Sequence, residues 1–471
     1  MIQKEEIEAK AKEFEIHISN VERDYVFGWF LFGLFSISDL KDTLFLKGGN
    51  ALRKGYFENT RFSLDIDLGI PTDIQQERLI EEINKVCDFI QEKAGITFVK
   101  EDNRIEEKFT ATEAPIPDLR VYEVRVYFKD FYGKSDHIKI KISMDVTRFD
   151  KALLPIQKVK LIHPYSDSSE VNCEIRCMKL EEIIATKLKC LLQRQHAPDL
   201  FDYVYSVKLL GGELNKEEVV RAFVQKTIFS RNPHVVKEIL CKTPFDYFKE
   251  FWNKTIVCAK NIIFEVEEAI EFFVTDMEVL FGIFPENGFR QFAFFVADLR
   301  VPIMKAGRNQ TLLKIRYKGV DRIIEPYSLK YLEKKDGTQI EYFYVYDRTG
   351  SSNNPGVKSF IAINVQSIEN TEEKFEPRFQ IELSKAGEKP ENPYLFDINK
   401  PTKAPRRRTD VISRANSTRT RRPNYGPKYI YQCSSCGKRF YRKTQNSTIK
   451  PHKSKSGFTC YGYGVYMGMK Y

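Results

Sequence analysis

A pair of glycines, Gly48-Gly49, followed fourteen residues on by Ser63-Leu64-Asp65-Ile66-Asp67-Leu68, restricts the fold of this chain more than any other feature. A glycine turn lets backbone N–H groups come up against an anion with no Cβ in the way. In the second segment Leu64, Ile66 and Leu68 alternate with Ser63, Asp65 and Asp67. Alternation of period two predicts a strand with one packed face and one open face. Two aspartates at i and i+2 then share the open face, close enough to hold divalent metal together. That layout suits metal-dependent phosphoryl or nucleotidyl transfer, in which charge developing on phosphate must be neutralised.

Two later segments extend the pattern. Along Lys139-Ile140-Lys141-Ile142-Ser143-Met144-Asp145-Val146, the residues Ile138, Ile140, Ile142 and Met144 form an apolar face and leave Asp145 on the polar one. Further on, the spacing predicts a helix over Lys179 to Arg194 with Leu180, Ile183, Ile184, Leu188 and Leu191 on its buried stripe. At 100° per residue Lys187 falls inside that stripe and Lys189 opposite it. A lysine there is costly unless its charge meets an anion, and triphosphate oxygens are the anion this chemistry offers. Arg194 lies two turns on, on the same side. Asp199 and Asp202, at i and i+3 after Pro198, suit a helix start.

Taken in order, the run Lys47 to Leu68, the strand Lys139 to Val146 and the segment Cys177 to Asp202 resemble the AbiEii/AbiGii toxin family of nucleotidyltransferases, distant relatives of DNA polymerase β. The resemblance implies an α/β (α+β) nucleotidyltransferase core of the polymerase β type. It implies Asp65, Asp67, Asp145, Lys187 and Asp202 as catalytic residues, with Mg2+ on the first three. Lys47, Gly48, Gly49, Ser63 and Arg194 are then expected on the phosphates of an NTP. Two departures stand out: Pro198 replaces an arginine common before Asp199, and Asn50 stands where a threonine is commoner after the glycines.

At 471 residues the chain is too long for one compact domain. Residues 1–210 are expected to form the nucleotidyltransferase domain and 211–300 a helical segment. Residues 301–385 carry short strand-like runs: Leu312 to Tyr317, Arg322 to Tyr327, Glu341 to Tyr346, and Lys358 to Ile361 before Val365. They resemble a WYL-type domain, a small SH3-like barrel, although Tyr342-Phe343-Tyr344 replaces the usual Trp-Tyr-Leu. A plain β-barrel spacer and a regulatory nucleotide- or nucleic-acid-binding module are both open for it. The most apolar run, Tyr25 to Ile37, is shorter than the roughly 20 residues that span a bilayer, so a buried core helix and a cytoplasmic protein are expected.

Charge is unevenly placed. Residues 401–471 hold 17 Lys and Arg against one acid, Asp410, whereas the first 400 residues hold 58 basic and 64 acidic residues. Such asymmetry points to a polyanion as partner. Residues 400–428 read as a basic linker, and residues 429–471 as a basic, zinc-ribbon-like tail. In that tail Cys433-Ser434-Ser435-Cys436 offers two thiolates to one ion, and His452 and Cys460 complete a tetrahedral set for structural Zn2+. Around it Lys438, Arg439, Arg442, Lys443, Lys450, Lys453 and Lys455 interleave with Phe440, Tyr441 and Phe458, a composition suited to single-stranded or looped RNA.

The function expected is therefore Mg-dependent transfer of NMP from an NTP to RNA, with release of pyrophosphate. The resemblance makes the tRNA 3′ end the acceptor, antiphage defence or a toxin–antitoxin system the setting, and a cognate antitoxin a partner. Two other readings stay open: a nucleic-acid-binding WYL and zinc regulator with a degenerate transferase domain, and a transferase that modifies protein hydroxyls.

Overall fold

The computed structural model describes residues 2–110, 118–130, 139–285, 293–333, 339–349, 355–388, 428–442, 446–454 and 459–470. The expected basic linker, except for its last residue, lies outside these, as do Ile138, Lys443, Lys455 and Phe458. The described chain divides into two compact units, one up to Glu388 and one from Lys428.

Seven strands make the first sheet: β1 (Phe45–Lys47), β2 (Asp65–Ile70), β3 (Arg104–Thr110), β4 (Asp118–Lys129), β5 (Lys139–Arg148), β6 (Gln157–Lys160) and β7 (Glu174–Cys177). Their order is β3-β4-β5-β2-β1-β7-β6, with β2 parallel to β5, β1 parallel to β7, and the other pairs antiparallel. Strands β3, β6 and β7 carry too few alternating residues to be singled out beforehand. Ile66, Leu68, Ile142, Met144 and Val146 are buried in one apolar core with the helices Ile18–Ser36 and Gln76–Ala94. That core holds one face of the sheet and leaves the alternate residues of β2 and β5 on the other. Leu64, expected on the packed face, is exposed because β2 begins only at Asp65. The second of these helices begins at Gln76. Gln75 is its N-cap residue, in extended backbone and without a side-chain cap.

A second core gathers six helices: Leu180–Gln193, Ala197–Leu210, Lys216–Gln225, Pro233–Cys241, Asp246–Thr255 and Val266–Phe281. A third lies under the helix Ala297–Asn309 and an antiparallel sheet of β8 (Thr311–Tyr317), β9 (Val320–Glu333), β10 (Gln339–Asp347), β11 (Gly356–Ile361) and β12 (Val365–Lys374). These strands run in the order β11-β10-β9-β8-β12, with a 3-10 turn at Ala362–Asn364 before the last.

After β12 the chain returns to the helical layer. Ile228 N–H donates to Gly387 O at 3.0 Å, and Thr227 bridges Glu388. Glu388 accepts from Lys189 at 2.6 Å and from Gln193 at 3.2 Å, at the end of the helix Leu180–Gln193. Among the described residues no helix is long and apolar enough to cross a membrane.

The C-terminal unit is built from β13 (Lys428–Cys433), β14 (Arg439–Arg442), β15 (His452–Lys453), β16 (Thr459–Cys460) and β17 (Gly464–Lys470). Three of them form a sheet in the order β14-β13-β17, and β15 pairs with β16.

Candidate active site

Strand β1 ends at Lys47, and Gly48–Ala51 turns at once into a short helix that widens to π winding over Leu52–Tyr56. Gly48 has φ +72°, and a Cβ there would lie 1.9 Å from Asp67 Oδ2. Only glycine lets the carboxylate come this close to the turn. A Cβ on Gly49 would stand 2.6 Å from Ser63 Oγ and 2.9 Å from Arg61 Nη2. Asn50 Nδ2 donates to Asp65 O at 2.5 Å, which ties the turn to the start of β2. The next turn is anchored from below: Arg53 and Lys54 reach the buried Asp24 at 2.6 and 3.0 Å. Burial is the largest influence on Lys54 and lowers its pKa to about 8, against the pull of Asp24.

Asp67 stands directly opposite Asp145 in the parallel β2–β5 pair, and Asp65 opposite Ser143. Directly paired residues point to the same face, so Asp65, Asp67 and Asp145 share the face turned away from the apolar core. Desolvation first, then the charges of Asp65 and Asp145, raise the Asp67 pKa to about 6, while Lys47 and Lys187 oppose the shift. Lys47 lies opposite Asp67 in the β1–β2 pair. Its Nζ is held by Asp150 at 2.5 Å and by Thr147 Oγ1 at 2.9 Å. Ser63 Oγ donates to Asp65 Oδ1 at 3.2 Å.

A carboxylate that resists ionisation because it is buried beside two others sits in a field that favours an added cation. The donors are all hard oxygens, which fits a divalent ion of the Mg2+ kind. Among the described residues, the only set of three or more His, Cys, Asp or Glu ligand atoms lying within 4.8 Å of one another is elsewhere, at the C-terminal cysteines. The three acids are thus aligned on one face without forming a closed cage.

Lys187 is buried on its helix, as its place on the apolar stripe implied. The anion it meets differs from the one expected. Its Nζ lies 2.7 Å from Asp202 and 3.2 Å from Asp199, both buried aspartates of the helix Ala197–Leu210. Arg194, half-exposed, donates two hydrogen bonds to Asp199 at 2.8 and 2.9 Å. Arg61 does the same to Asp202 at 2.7 and 2.8 Å. Three cations and two carboxylates therefore form one chain, Arg61–Asp202–Lys187–Asp199–Arg194. Against the desolvation that would raise it, Lys187 and Arg194 hold Asp199 down at about 2. Lys187 stays protonated, because Asp202 and Asp199 outweigh the burial that would lower its pKa.

Nothing in the sequence marks Arg61. It lies in an irregular stretch where no periodicity marks a buried side, yet it joins the glycine turn, the approach to β2 and the Lys187 cluster. The same holds for Asp150, two residues past the end of β5.

In the C-terminal unit, Cys433, Cys436, His452 and Cys460 bring their ligand atoms within 4.8 Å of one another. Cys433 Sγ is 3.4 Å from Cys460 Sγ, and Cys436 Sγ is 3.2 Å from His452 Nε2. Four soft or borderline donors gathered this closely suit a tetrahedral ion.

Residues 29–257 match the family described as nucleotidyl transferase AbiEii toxin, Type IV TA system. Among solved structures, MenT4, a nucleotidyltransferase toxin from Mycobacterium tuberculosis H37Rv, resembles the chain at 16% identity over 59% of this chain and 90% of that one. Its TM-score is 0.36, a likeness too loose to bear on the fold. No curated protein matches the chain.

Proposed function

We propose that the chain, whose residues 29–257 match the AbiEii nucleotidyl transferase toxin family, moves a nucleoside monophosphate from an NTP onto an RNA hydroxyl, the 3′ end of tRNA being the acceptor. The observation that carries this reading is the in-register pairing of Asp67 with Asp145, with Asp65 on the same face and the glycine turn against Asp67. Asp65, Asp67 and Asp145 would hold Mg2+, which supplies neutralisation of charge on the α-phosphate and on the departing pyrophosphate.

The chain's own groups divide the remaining work. The Gly48-Gly49 turn admits the triphosphate close to backbone N–H groups, with Lys47 and Ser63 at its edges. Lys187 and Arg194 supply positive charge beside it, and Asp202 and Asp199 keep both in place. The acceptor oxygen forms its bond to the α-phosphorus as the bond to the β-phosphate bridging oxygen breaks. Asp145 takes the acceptor proton, and pyrophosphate leaves with the electron pair.

The surrounding parts fit a toxin of this class. The seven-stranded sheet reads as a polymerase β-type core. The β8–β12 sheet reads as an SH3-like, WYL-type module, and the C-terminal unit as a zinc ribbon whose Cys433, Cys436, His452 and Cys460 hold structural Zn2+. A cognate antitoxin and a cytoplasmic setting in antiphage defence follow from the same reading.

The test is label transfer. Wild-type protein given Mg2+ and each α-³²P-NTP should label RNA, and Asp65→Ala should abolish the label while circular dichroism stays unchanged. Equal labelling by wild type and Asp65→Ala removes the site.

A further inference from the structure

The C-terminal unit carries a surface that the chemistry above does not use. From Cys460 the chain reads Tyr461-Gly462-Tyr463-Gly464-Val465, and exposure alternates along it. Tyr461 is 66% exposed, Tyr463 72% and Val465 42%, whereas both glycines are buried. The glycines explain the alternation. A Cβ on Gly462 would lie 2.4 Å from Cys433 Sγ, and one on Gly464 would lie 2.5 Å from Ser447 O. The chain therefore lies flat on the cysteine cluster, and every second side chain must project outward. Ser434 N–H donates to Tyr463 O at 2.9 Å and Tyr463 N–H to Ser434 Oγ at 3.2 Å, which fixes that orientation.

The stripe continues across the three-stranded sheet. Gln432 pairs with both Val465 and Arg439, so these three share a face, and Tyr441, two residues past Arg439, joins them. Tyr441 is 58% exposed. On the opposite face Tyr431 is buried against Tyr466, itself 48% exposed, and the partly buried Phe440 packs on His452 with ring centroids 4.7 Å apart.

Among the described residues of this unit, side-chain charge has one sign. From Val411 to Tyr471 the sequence contains no Asp or Glu. Lys438, Arg439, Lys450 and Lys453 are exposed, with Arg442 partly so. A row of outward tyrosines rimmed by cations matches a flexible polyanion whose aromatic faces are free to stack. Side chains two residues apart on extended chain are about 7 Å apart, twice the rise of about 3.4 Å of a stacked base. A duplex hides its bases inside and offers only phosphates to such a surface.

We infer that Tyr441, Tyr461 and Tyr463, with Arg439, Lys438, Lys450 and Lys453, form a stacking platform for single-stranded nucleic acid, held rigid from behind by the cysteine and histidine cluster. The choice of RNA as the strand rests on the transferase reading above; the face itself does not.

The experiment uses the full-length chain and fluorescence anisotropy with a labelled 12-nucleotide oligouridylate, over a series of salt concentrations. Tyr461→Ala, Tyr463→Ala and Tyr441→Ala should each weaken binding about tenfold, with the salt slope unchanged and the metal content intact. The three Tyr→Phe variants keep the ring and should bind as the wild type does. Arg439→Ala and Lys453→Ala should flatten the salt slope by about 0.7 each. A blunt RNA duplex of equal length should bind more weakly than the single strand.

Equal affinity for the duplex, indifference to the Tyr→Ala changes, or tighter capture by phosphatidylserine vesicles than by the oligonucleotide overturns the inference. Label transfer separates its failure from that of the transferase reading. Transfer without oligouridylate binding removes the platform and keeps the enzyme; binding without transfer by the wild type does the reverse.

Discussion

Asp67→Asn should make the metal-free protein more stable at neutral pH while abolishing transfer. In the folded chain burial and the facing carboxylates raise the Asp67 pKa from 3.8 to about 6. A rise of about 2 units at about 1.4 kcal/mol each sets an upper bound of about 3 kcal/mol on the cost of ionising it. Asp67 is only partly buried, and screening by solvent brings the expected figure to about 1–2 kcal/mol.

The sign follows from proton binding. Below pH 3.8 the group is protonated whether folded or unfolded, and no penalty exists. Between about pH 4 and 6 the folded chain retains a proton that the unfolded chain has lost, so stability falls as pH rises, and the full penalty stands above pH 6. An amide at this position carries no charge and escapes that loss.

Hydrogen exchange of the β2 and β5 amides in EDTA reads this locally. The variant should be better protected than wild type at pH 7.5, with the difference vanishing near pH 4. Adding Mg2+ should reverse the order at pH 7.5, because only the wild type gains from ion binding. A variant less protected than wild type in EDTA at pH 7.5, or a difference independent of pH, refutes the argument from crowded carboxylates.

Arg61→Ala should leave Asp202 buried with only Lys187 as cation and cost about 3–5 kcal/mol in denaturant melts; a change below about 1 kcal/mol would show Arg61 to be dispensable to the cluster. Gly48→Ala forces a Cβ into Asp67 at a positive φ. It should lower label transfer at least tenfold with little change in the far-UV spectrum, and normal transfer would mean the turn gives way freely. Cys436→Ser should reduce bound zinc, measured by plasma mass spectrometry, from one equivalent towards none, while protection of β2 and β5 stays as in wild type. Zinc retained at one equivalent removes this ligand set.

The parts of the site legible beforehand were those that secondary structure encodes by period. Asp65, Asp67 and Asp145 were placed by alternation against Ile66, Leu68, Ile142 and Met144, because a strand buried on one face writes its geometry into every second residue. Lys187 was placed by its position on a helical stripe. Its partners were not, because Asp199 and Asp202 come back to it only through the crossing of two helices. Arg61 and Asp150 lie where the chain has no period, and their meaning depends on contacts across 141 and 103 residues of sequence. The cysteine cluster was readable from type and spacing alone, since few other uses explain thiols set two residues apart beside a downstream histidine.

The return of the chain at Gly387 and Glu388 has a consequence for the order of events during synthesis. The helix that bears Lys187 is made early, yet the groups that grip its far end, through Lys189 and Gln193, leave the ribosome roughly two hundred residues later. Until then Lys189 and Gln193 lack Glu388, and that end is held by the packing of Leu188, Leu191 and Leu192 in the helical core. The half of the chain that carries the aligned aspartates is thus completed only when translation of the larger unit is nearly finished.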